Sequence, residues 1–140
     1  MITIYFDGLC EPRNPGGVAT YGYIVYKDGK TIKKGCQVIG EGKGMTNNVA
    51  EYSGLKRAVE WLVEQDIDDK ITIKGDSMLA INQMAGEWAV RSKTSRHFVP
   101  EIKKLLDNKK VSFVWVPREQ NGEADLLSRV AYKRYKKQKT

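Results

Sequence analysis

The sequence has no long apolar run, only two cysteines and a single histidine. No stretch of about eighteen consecutive apolar residues occurs, so we expect no membrane-spanning helix. The first residues, MITIYFD, alternate like a strand and lack the charged and apolar regions of a signal peptide, so we expect a cytoplasmic protein. Cys10 and Cys36 have neither a CxxC spacing nor a nearby histidine. We expect two free thiols in a reducing compartment, with a Cys10–Cys36 disulfide as the alternative.

Positive charge is concentrated in two segments of the chain. The net charge is +7, yet residues 132–140 carry five basic residues and no acidic one, and residues 91–110 carry seven basic residues against two acidic ones. The rest of the chain is mildly acidic. Basic patches of this kind suit a polyanion such as nucleic acid, because binding releases condensed counterions. A solvated helix face and a solubilising tail are the alternative.

Hydrophobic spacing predicts one α/β domain with elements in the order βββαβααβα. The length of 140 residues suits a single domain. Three strands come first, and an Asp28-Gly29 pair between the second strand and the third, near 31–39, predicts a hairpin. Helices follow this antiparallel meander, so we expect a mixed sheet flanked by helices. The later elements are a helix over 48–65, a strand ending at Asp76, a short helix, an irregular stretch over 86–96, a helix near 98–108, the strand VSFVWV and a last helix from Glu123.

Glu51 is the most informative acidic residue. On the predicted helix it shares the apolar stripe of Leu55, Val59 and Leu62, which faces the core. A glutamate in that position is costly unless another group compensates its charge. An acidic residue in the first helical turn also gains from the helix dipole, which is the simpler explanation.

Three further carboxylates lie at predicted element ends. Asp7 and Asp76 follow short apolar strands, and Asp125 falls in the first turn of the last helix. Each also has an ordinary structural explanation. Asp7 is a possible turn residue, Asp76 a possible helix cap, and Asp125 an acidic residue of the kind favoured in a first helical turn. If the fold brings them together with Glu51, protons or divalent cations must neutralise the cluster, and such oxygen ligands suit Mg²⁺ or Mn²⁺. The chain is therefore a candidate metal-dependent enzyme.

Four segments resemble, in order and spacing, the motifs of type I ribonuclease H. FDGLCEPRNPGG resembles the first-strand motif of that family, TNNVAEYSGLKRA the first-helix motif, IKGDS the fourth-strand motif and WVPREQNGEADLLSR the last-helix motif. The residues of these segments are most similar to those of a compact archaeal or prokaryotic branch of the family. The resemblance covers residues 1–132 and implies a ribonuclease H-like domain there. The charge distribution adds a basic C-terminal tail at 133–140. The resemblance also implies a five-stranded mixed sheet, with three antiparallel strands and then two parallel ones.

The same resemblance implies an endonuclease that hydrolyses the RNA strand of RNA–DNA hybrids and leaves 5′-phosphate and 3′-hydroxyl ends. Catalysis would use two Mg²⁺ or Mn²⁺ ions. Their ligands, which would also be the catalytic residues, would be Asp7, Glu51, Asp76 and Asp125. The substrate-binding residues implied are Asn14, Asn47 and Asn48 at the minor groove and Thr46 at a phosphate, with helix capping as the alternative for Asn47 and Asn48. Trp88 is a candidate to stack on the DNA sugars, with a core position as the alternative, and Arg118 is a further candidate for substrate binding.

The chain departs from the family pattern at two places. The loop PREQNGEA lacks the histidine that many members carry there, and the only histidine, His97, lies elsewhere. Arg118 or Glu119 is the candidate to take its place. The basic protrusion of many bacterial members is reduced to GEWAVRSKTSRH, so we hypothesise that the tail at 133–140 supplies part of the substrate affinity.

Two other functions are compatible with these motifs. A related nuclease of the same fold would act on double-stranded RNA or on a DNA junction, and a non-catalytic module would only bind nucleic acid. The intact set of four carboxylates argues against the second, because acidic groups that face phosphate are unfavourable without a cation. We expect a monomer.

Overall fold

The computed structural model describes residues 1–139, which form five strands and four α-helices around one sheet. The strands are β1 (Ile2–Glu11), β2 (Val18–Lys27), β3 (Lys30–Glu41), β4 (Ile71–Gly75) and β5 (Val111–Trp115). The helices are α1 (Asn47–Glu64), α2 (Met78–Ala85), α3 (Lys93–Leu105) and α4 (Gly122–Lys139), with a short 3-10 turn at Arg118–Gln120.

The sheet has the order β3-β2-β1-β4-β5, with β1 at its centre. β1 pairs with β2 and β2 with β3 in antiparallel fashion, whereas β1 with β4 and β4 with β5 are parallel. Asp28 and Gly29, at the β2–β3 turn, both have positive φ, as the two-residue hairpin requires. The predicted fold class, element order and strand directions are confirmed.

One face of the sheet carries the main core. Ile2, Ile4 and Phe6 of β1 are fully buried and belong to the same apolar cluster as Leu55 and Leu62 of α1. Side chains from α2, α3 and β4 complete this cluster. Because alternate residues of a strand point to opposite faces, the period-two pattern of β1 places its apolar residues against α1.

The other face of the sheet is covered by α4. A Cβ atom on Gly22 of β2 would lie 2.4 Å from the carbonyl oxygen of Ala124, so this helix rests directly on the strand. The Thr20 hydroxyl donates a 2.8 Å hydrogen bond to the carbonyl of Ser128 and fixes the same contact. Gly22 is paired with Asp7 of β1, and opposed residues of an antiparallel pair share one face. Asp7 therefore lies on the side of the sheet that α4 covers.

Two predicted element bounds are wrong. β1 does not end at Asp7 but continues to Glu11, because its antiparallel pairing with β2 runs on to Val18. The stretch 86–96 is not irregular throughout, since α3 begins at Lys93. The hydroxyl of Ser92 accepts a 3.0 Å hydrogen bond from the backbone N–H of Ser95, and this cap starts the helix earlier than the apolar spacing suggests.

The last helix runs from Gly122 to Lys139 without interruption, so residues 133–139 of the expected basic tail are helical. None of the helices within residues 1–139 is both long enough and apolar enough to cross a membrane. Cys10 and Cys36 are free thiols, so the expected state is confirmed and the alternative disulfide is not formed.

Candidate active site

The candidate site begins where β4 ends beside β1. Phe6 and Gly75 are the last registered pair of these parallel strands, and Asp7 and Asp76 are the residues that directly follow them. Two carboxylates are thus placed side by side at the edge where β4 stops. This is the carboxyl edge of the parallel strands, where ligands of open α/β sheets bind.

Glu51 reaches the same place from α1. A Cβ atom on Gly8 would lie only 2.4 Å from the backbone nitrogen of Glu51, so the helix approaches β1 this closely because that residue is glycine. Glu51 is 5% exposed, and the prediction that it lies on the buried stripe is confirmed. Single carboxylate oxygens of Asp7, Glu51 and Asp76 all lie within 4.8 Å of one another.

Asp125 lies at the rim of this cluster. It lines the same cavity as the other three carboxylates, but among the described residues it is not part of the tight group that Asp7, Glu51 and Asp76 form. Its Oδ2 accepts a 3.3 Å hydrogen bond from Nε of Arg129, one helical turn later. Arg129 also lies 3.4 Å from Glu11. The fold therefore gathers all four predicted carboxylates, three of them closely.

A cavity of about 360 Å³ opens over the carboxylates. Its wall also contains amide and guanidinium groups from Asn47, Asn48, Arg118 and Arg129. A larger cavity of about 550 Å³ lies elsewhere and is lined by residues such as Tyr5, Tyr26, Lys74, Glu119 and Glu123. The larger cavity contains none of the four predicted carboxylates, so the smaller one is the candidate active site.

Burial and mutual repulsion keep protons on this cluster. Burial raises the pKa of Asp7 to about 7, and the negative charge of Asp76 acts in the same direction. Hydrogen bonds from Glu51 and from the Gly8 backbone N–H oppose this rise in the pKa of Asp7. Burial and the charge of Asp7 raise the pKa of Glu51 well above its usual range. Without a cation, Asp7 and Glu51 therefore both hold protons more tightly than ordinary carboxyl groups do.

Asp76 is held by contacts to its backbone and side chain. The indole N–H of Trp115 donates a 3.1 Å hydrogen bond to the carbonyl of Asp76. The competing interpretation, in which Asp76 caps the following helix, is wrong because Ser77 is the cap: its hydroxyl accepts from the N–H of Ala80 at 3.1 Å. The Asp76 carboxylate is thus directed to the site and not to the helix.

Asn121 is a site residue that the sequence analysis missed. Its amide nitrogen donates to the Phe6 carbonyl at 2.8 Å and to Oδ1 of Asp76 at 3.2 Å, and the residue is only 1% exposed. It connects the loop before α4 to the middle of β1 and to the residue that follows β4. A polar residue four positions before Asp125 was the available signal, but helix capping explains such a residue equally well.

Some of the predicted substrate-binding residues line the cavity, and others shape the backbone beside it. Asn47 and Asn48 are exposed at the start of α1 and line the cavity, as does Arg118. Thr46 caps α1 by accepting from the N–H of Val49 at 3.1 Å, and Asn14 accepts from the N–H of Asn47 at 3.0 Å. These two residues therefore shape the loop and helix start beside the cavity.

Trp88 and His97 lie outside the cavity wall. Trp88 is 46% exposed in the connection after α2, so it is not a core residue. His97 is exposed and packs edge-on against Phe98, with 4.8 Å between ring centroids. Of the two candidates for the missing loop histidine, Arg118 lines the cavity whereas Glu119 lines the larger cavity.

The donor set suits a divalent cation. All three clustered side chains offer carboxylate oxygens, the hard ligands that Mg²⁺ and Mn²⁺ prefer. Oε2 of Glu51 is buried without a hydrogen-bond partner within the described chain. An unpaired buried carboxylate oxygen is costly, and a cation would compensate it directly.

Comparison with known proteins gives consistent matches over nearly the whole chain. A family model described as reverse transcriptase-like matches residues 6–131. Ribonuclease HI of Halobacterium salinarum is 35% identical over 128 residues, which cover 91% of this chain and 62% of that protein. The uncharacterized protein YpeP of Bacillus subtilis is 30% identical over 131 residues, which cover 91% of this chain and 57% of YpeP. The chain thus spans less than two thirds of the length of these two relatives.

The crystal structure of LC11-RNase H1 in complex with an RNA/DNA hybrid matches with a TM-score of 0.88 and 32% identity, covering 96% of this chain and 99% of that one. The strand order and the carboxylates at the sheet edge define a protein of the ribonuclease H-like class. The chain belongs to the type I ribonuclease H family. The resemblance drawn from the four sequence motifs is confirmed.

The raised pKa of Asp7 predicts how stability depends on pH without cations. The folded protein holds this proton more tightly than the unfolded chain, so Asp7 should stabilise the fold at about pH 4 and lose that contribution as the pH rises through about 7. Asp7→Asn removes the titration. In EDTA, the melting temperature of the variant minus that of the wild type should therefore increase with pH. The increase should be about 4 °C for each kcal/mol by which ionisation of Asp7 destabilises the wild type.

The matched control is Asp107→Asn, which makes the same chemical change at an exposed residue after α3. Its melting temperature should follow that of the wild type at every pH. A difference between Asp7→Asn and wild type that stays constant across the series would contradict the assigned proton affinity.

Asn121→Ala should lower the free energy of unfolding by about 1–3 kcal/mol, because the buried Phe6 carbonyl and Asp76 lose their shared donor. Urea denaturation measures the loss. Gln120→Ala, at the exposed neighbouring position, should change stability by much less. Equal effects of the two substitutions would show that the Asn121 contacts do not hold the site together.

Proposed function

We propose that this protein is an endonuclease that hydrolyses the RNA strand of RNA–DNA hybrids, with Mg²⁺ or Mn²⁺ as cofactor, giving 5′-phosphate and 3′-hydroxyl ends. The observation that carries the proposal is the group formed by the buried Asp7 and Glu51 with the partly buried Asp76, whose ligand atoms lie within 4.8 Å of one another and in which one Glu51 oxygen is unpaired. Family membership supports the same reaction, as does the hybrid bound to LC11-RNase H1.

Asp7, Glu51 and Asp76 would hold two divalent cations, with Asp125 completing the ligand set from the rim. Such ions, when bound, activate a water molecule and stabilise the leaving 3′ oxygen of an in-line displacement. The protein supplies a rigid frame for them: β1 and β4 fix the two aspartates, and α1 fixes the glutamate. The raised pKa values of Asp7 and Glu51 also keep the site from carrying three uncompensated charges before cations bind.

The cavity wall supplies the groups that would hold substrate. The exposed amides of Asn47 and Asn48 can hydrogen-bond to the 2′-hydroxyls displayed in the minor groove, which distinguish RNA from DNA. Arg118 and Arg129 place positive charge beside the carboxylates and can orient a phosphate. We assign Arg118 the place of the missing loop histidine, because it lines the cavity and His97 does not.

Other expectations stay predictions. Asn14 would contact the minor groove and Thr46 would hold a phosphate, beside the loop and helix start that they shape. Trp88 would stack on the sugars of the DNA strand from its exposed position. The division into a domain at 1–132 and a basic segment at 133–140, the monomeric state and the cytoplasmic location are likewise proposed.

One assay tests the proposed reaction. Labelled RNA–DNA hybrid, double-stranded RNA and double-stranded DNA are incubated with wild type, Asp7→Asn and Asp107→Asn, with Mg²⁺ or EDTA. We expect wild type and Asp107→Asn to cut only the RNA of the hybrid and only with Mg²⁺. Asp7→Asn should lose roughly 100-fold or more in kcat, because it removes charge that acts on the reacting centre.

The controls separate the possible failures. Circular dichroism of each variant shows whether activity is lost with the fold intact. Cleavage of double-stranded RNA or DNA in preference to the hybrid would contradict the proposed substrate. Near-normal turnover of Asp7→Asn in Mg²⁺ would contradict the proposed ligand set.

A further inference from the structure

The last helix carries a row of cations that starts at the candidate active site. Asp125 and Arg129 line the cavity from the first turns of α4. With 3.6 residues per turn, Lys136 and Lys139 lie within roughly 40° of Asp125 around the helix axis. Lys133 lies at the border of the same face, roughly 80° away. We call Arg129, Lys133, Lys136 and Lys139 the basic ridge.

The basic ridge leads away from the carboxylates along the helix. Because each residue advances about 1.5 Å, Lys133 is roughly 12 Å and Lys139 roughly 21 Å from Asp125 along the axis. Duplex DNA presents one phosphate per strand for each 3.4 Å of its axis. A duplex lying along α4 would therefore bring phosphates to these lysines roughly four to six base pairs from the cleavage position.

Among residues 1–139, the first member of the ridge is paired with acidic side chains, whereas Lys133 and Lys136 are not. Arg129 is paired with Asp125 and Glu11 at 3.3 and 3.4 Å. Lys133 and Lys136 are exposed and make no ion pair or hydrogen bond within residues 1–139. The sequence from 126 to 139 contains no acidic residue. These ammonium groups therefore retain counterions that a polyanion can displace.

Charge alone has a simpler explanation. Cations in the last turns of a helix are favoured by the helix dipole, and α4 ends in Lys136, Lys137 and Lys139. The dipole is indifferent to which side of the helix carries the charge. A contact with nucleic acid depends on the face that carries the charge, because only one face of α4 continues from the cavity. The two explanations therefore differ in how cations on opposite faces should behave.

We propose that the basic ridge binds the phosphate backbone of the RNA–DNA duplex several base pairs away from the cleaved bond. This inference rests on the proposed function for the identity of the duplex. It assigns part of the substrate affinity to one face of α4 and not to the net charge of the C-terminal segment.

The test compares two variants that remove the same charge from opposite faces of one helix. Lys136→Gln/Lys139→Gln changes the ridge, and Arg134→Gln/Lys137→Gln changes residues roughly 120° to 180° from Asp125. Binding of a fluorescent hybrid that extends past the ridge is measured by anisotropy in EDTA, across a salt series. Because no cleavage occurs in EDTA, this measurement does not depend on the proposed catalytic activity.

We expect the ridge variant to weaken binding at low salt and to flatten the plot of log affinity against log salt by about 1.8 units, the value for two duplex phosphate contacts. The opposite-face variant should keep the wild-type slope to within about half a unit, since its charges act only at long range. With Mg²⁺, the ridge variant should raise KM and leave kcat unchanged, because remote phosphate contacts bind ground and transition states equally.

Equal slopes for both double variants would overturn the proposal, since only net charge would then matter. Wild-type affinity in the ridge variant, together with a lower melting temperature, would also overturn it and assign the lysines to the helix dipole. A wild-type protein that binds the hybrid but does not cut it in Mg²⁺ would contradict the proposed function alone, and the two slopes would still decide the role of the ridge.

Discussion

The close packing of three carboxylates, two of them buried, is the constraint on which the rest of the site depends. Asp7 and Glu51 are each only 5% exposed, and Asp76 lies beside them. Placed together without compensation, such groups repel each other and lose hydration. The protein alone compensates by retaining protons, as the raised pKa values of Asp7 and Glu51 show. A cation that replaced these protons would compensate the repulsion between the carboxylates, so that the cluster would act as a cation-binding site.

The fold holds this group together from independent directions. The register of β1 with β4 sets the separation of the two aspartates, and the glycine at position 8 lets α1 carry Glu51 against the strand. Asn121 then connects the loop before α4 to both strands. Because these contacts come from packed strands and helices, the carboxylates cannot relax apart without disturbing the core. A preorganised site of this kind needs little rearrangement during the reaction, so the free-energy cost of reorganisation is small.

Sequence periodicity was sufficient for the antiparallel meander and for a mixed sheet, because alternation and turn residues are local signals, whereas the two parallel strands followed from the resemblance of the motifs. It also placed Glu51 correctly, since a charged residue on an apolar helix stripe is visible without coordinates. It could not show that Asn121 reaches the Phe6 carbonyl, 115 positions away in the chain, or that Asp125 lies at the rim and not within the close group. It also started α3 too late, because a serine cap outweighed the polar character of residues 93–96. Long-range contacts and competing helix caps produce no periodic pattern in the sequence, so periodicity cannot predict them.

The most direct test of the account is to locate the cations that its central group should bind. Crystals of the wild type grown with Mn²⁺ would be examined by anomalous diffraction, beside crystals of Glu51→Gln. We predict manganese bound to Asp7, Glu51 and Asp76 in the wild type, and reduced or lost occupancy in the variant. An empty carboxylate group in wild-type crystals at neutral pH, with manganese bound only elsewhere, would contradict the claim that this cluster exists to hold a cation.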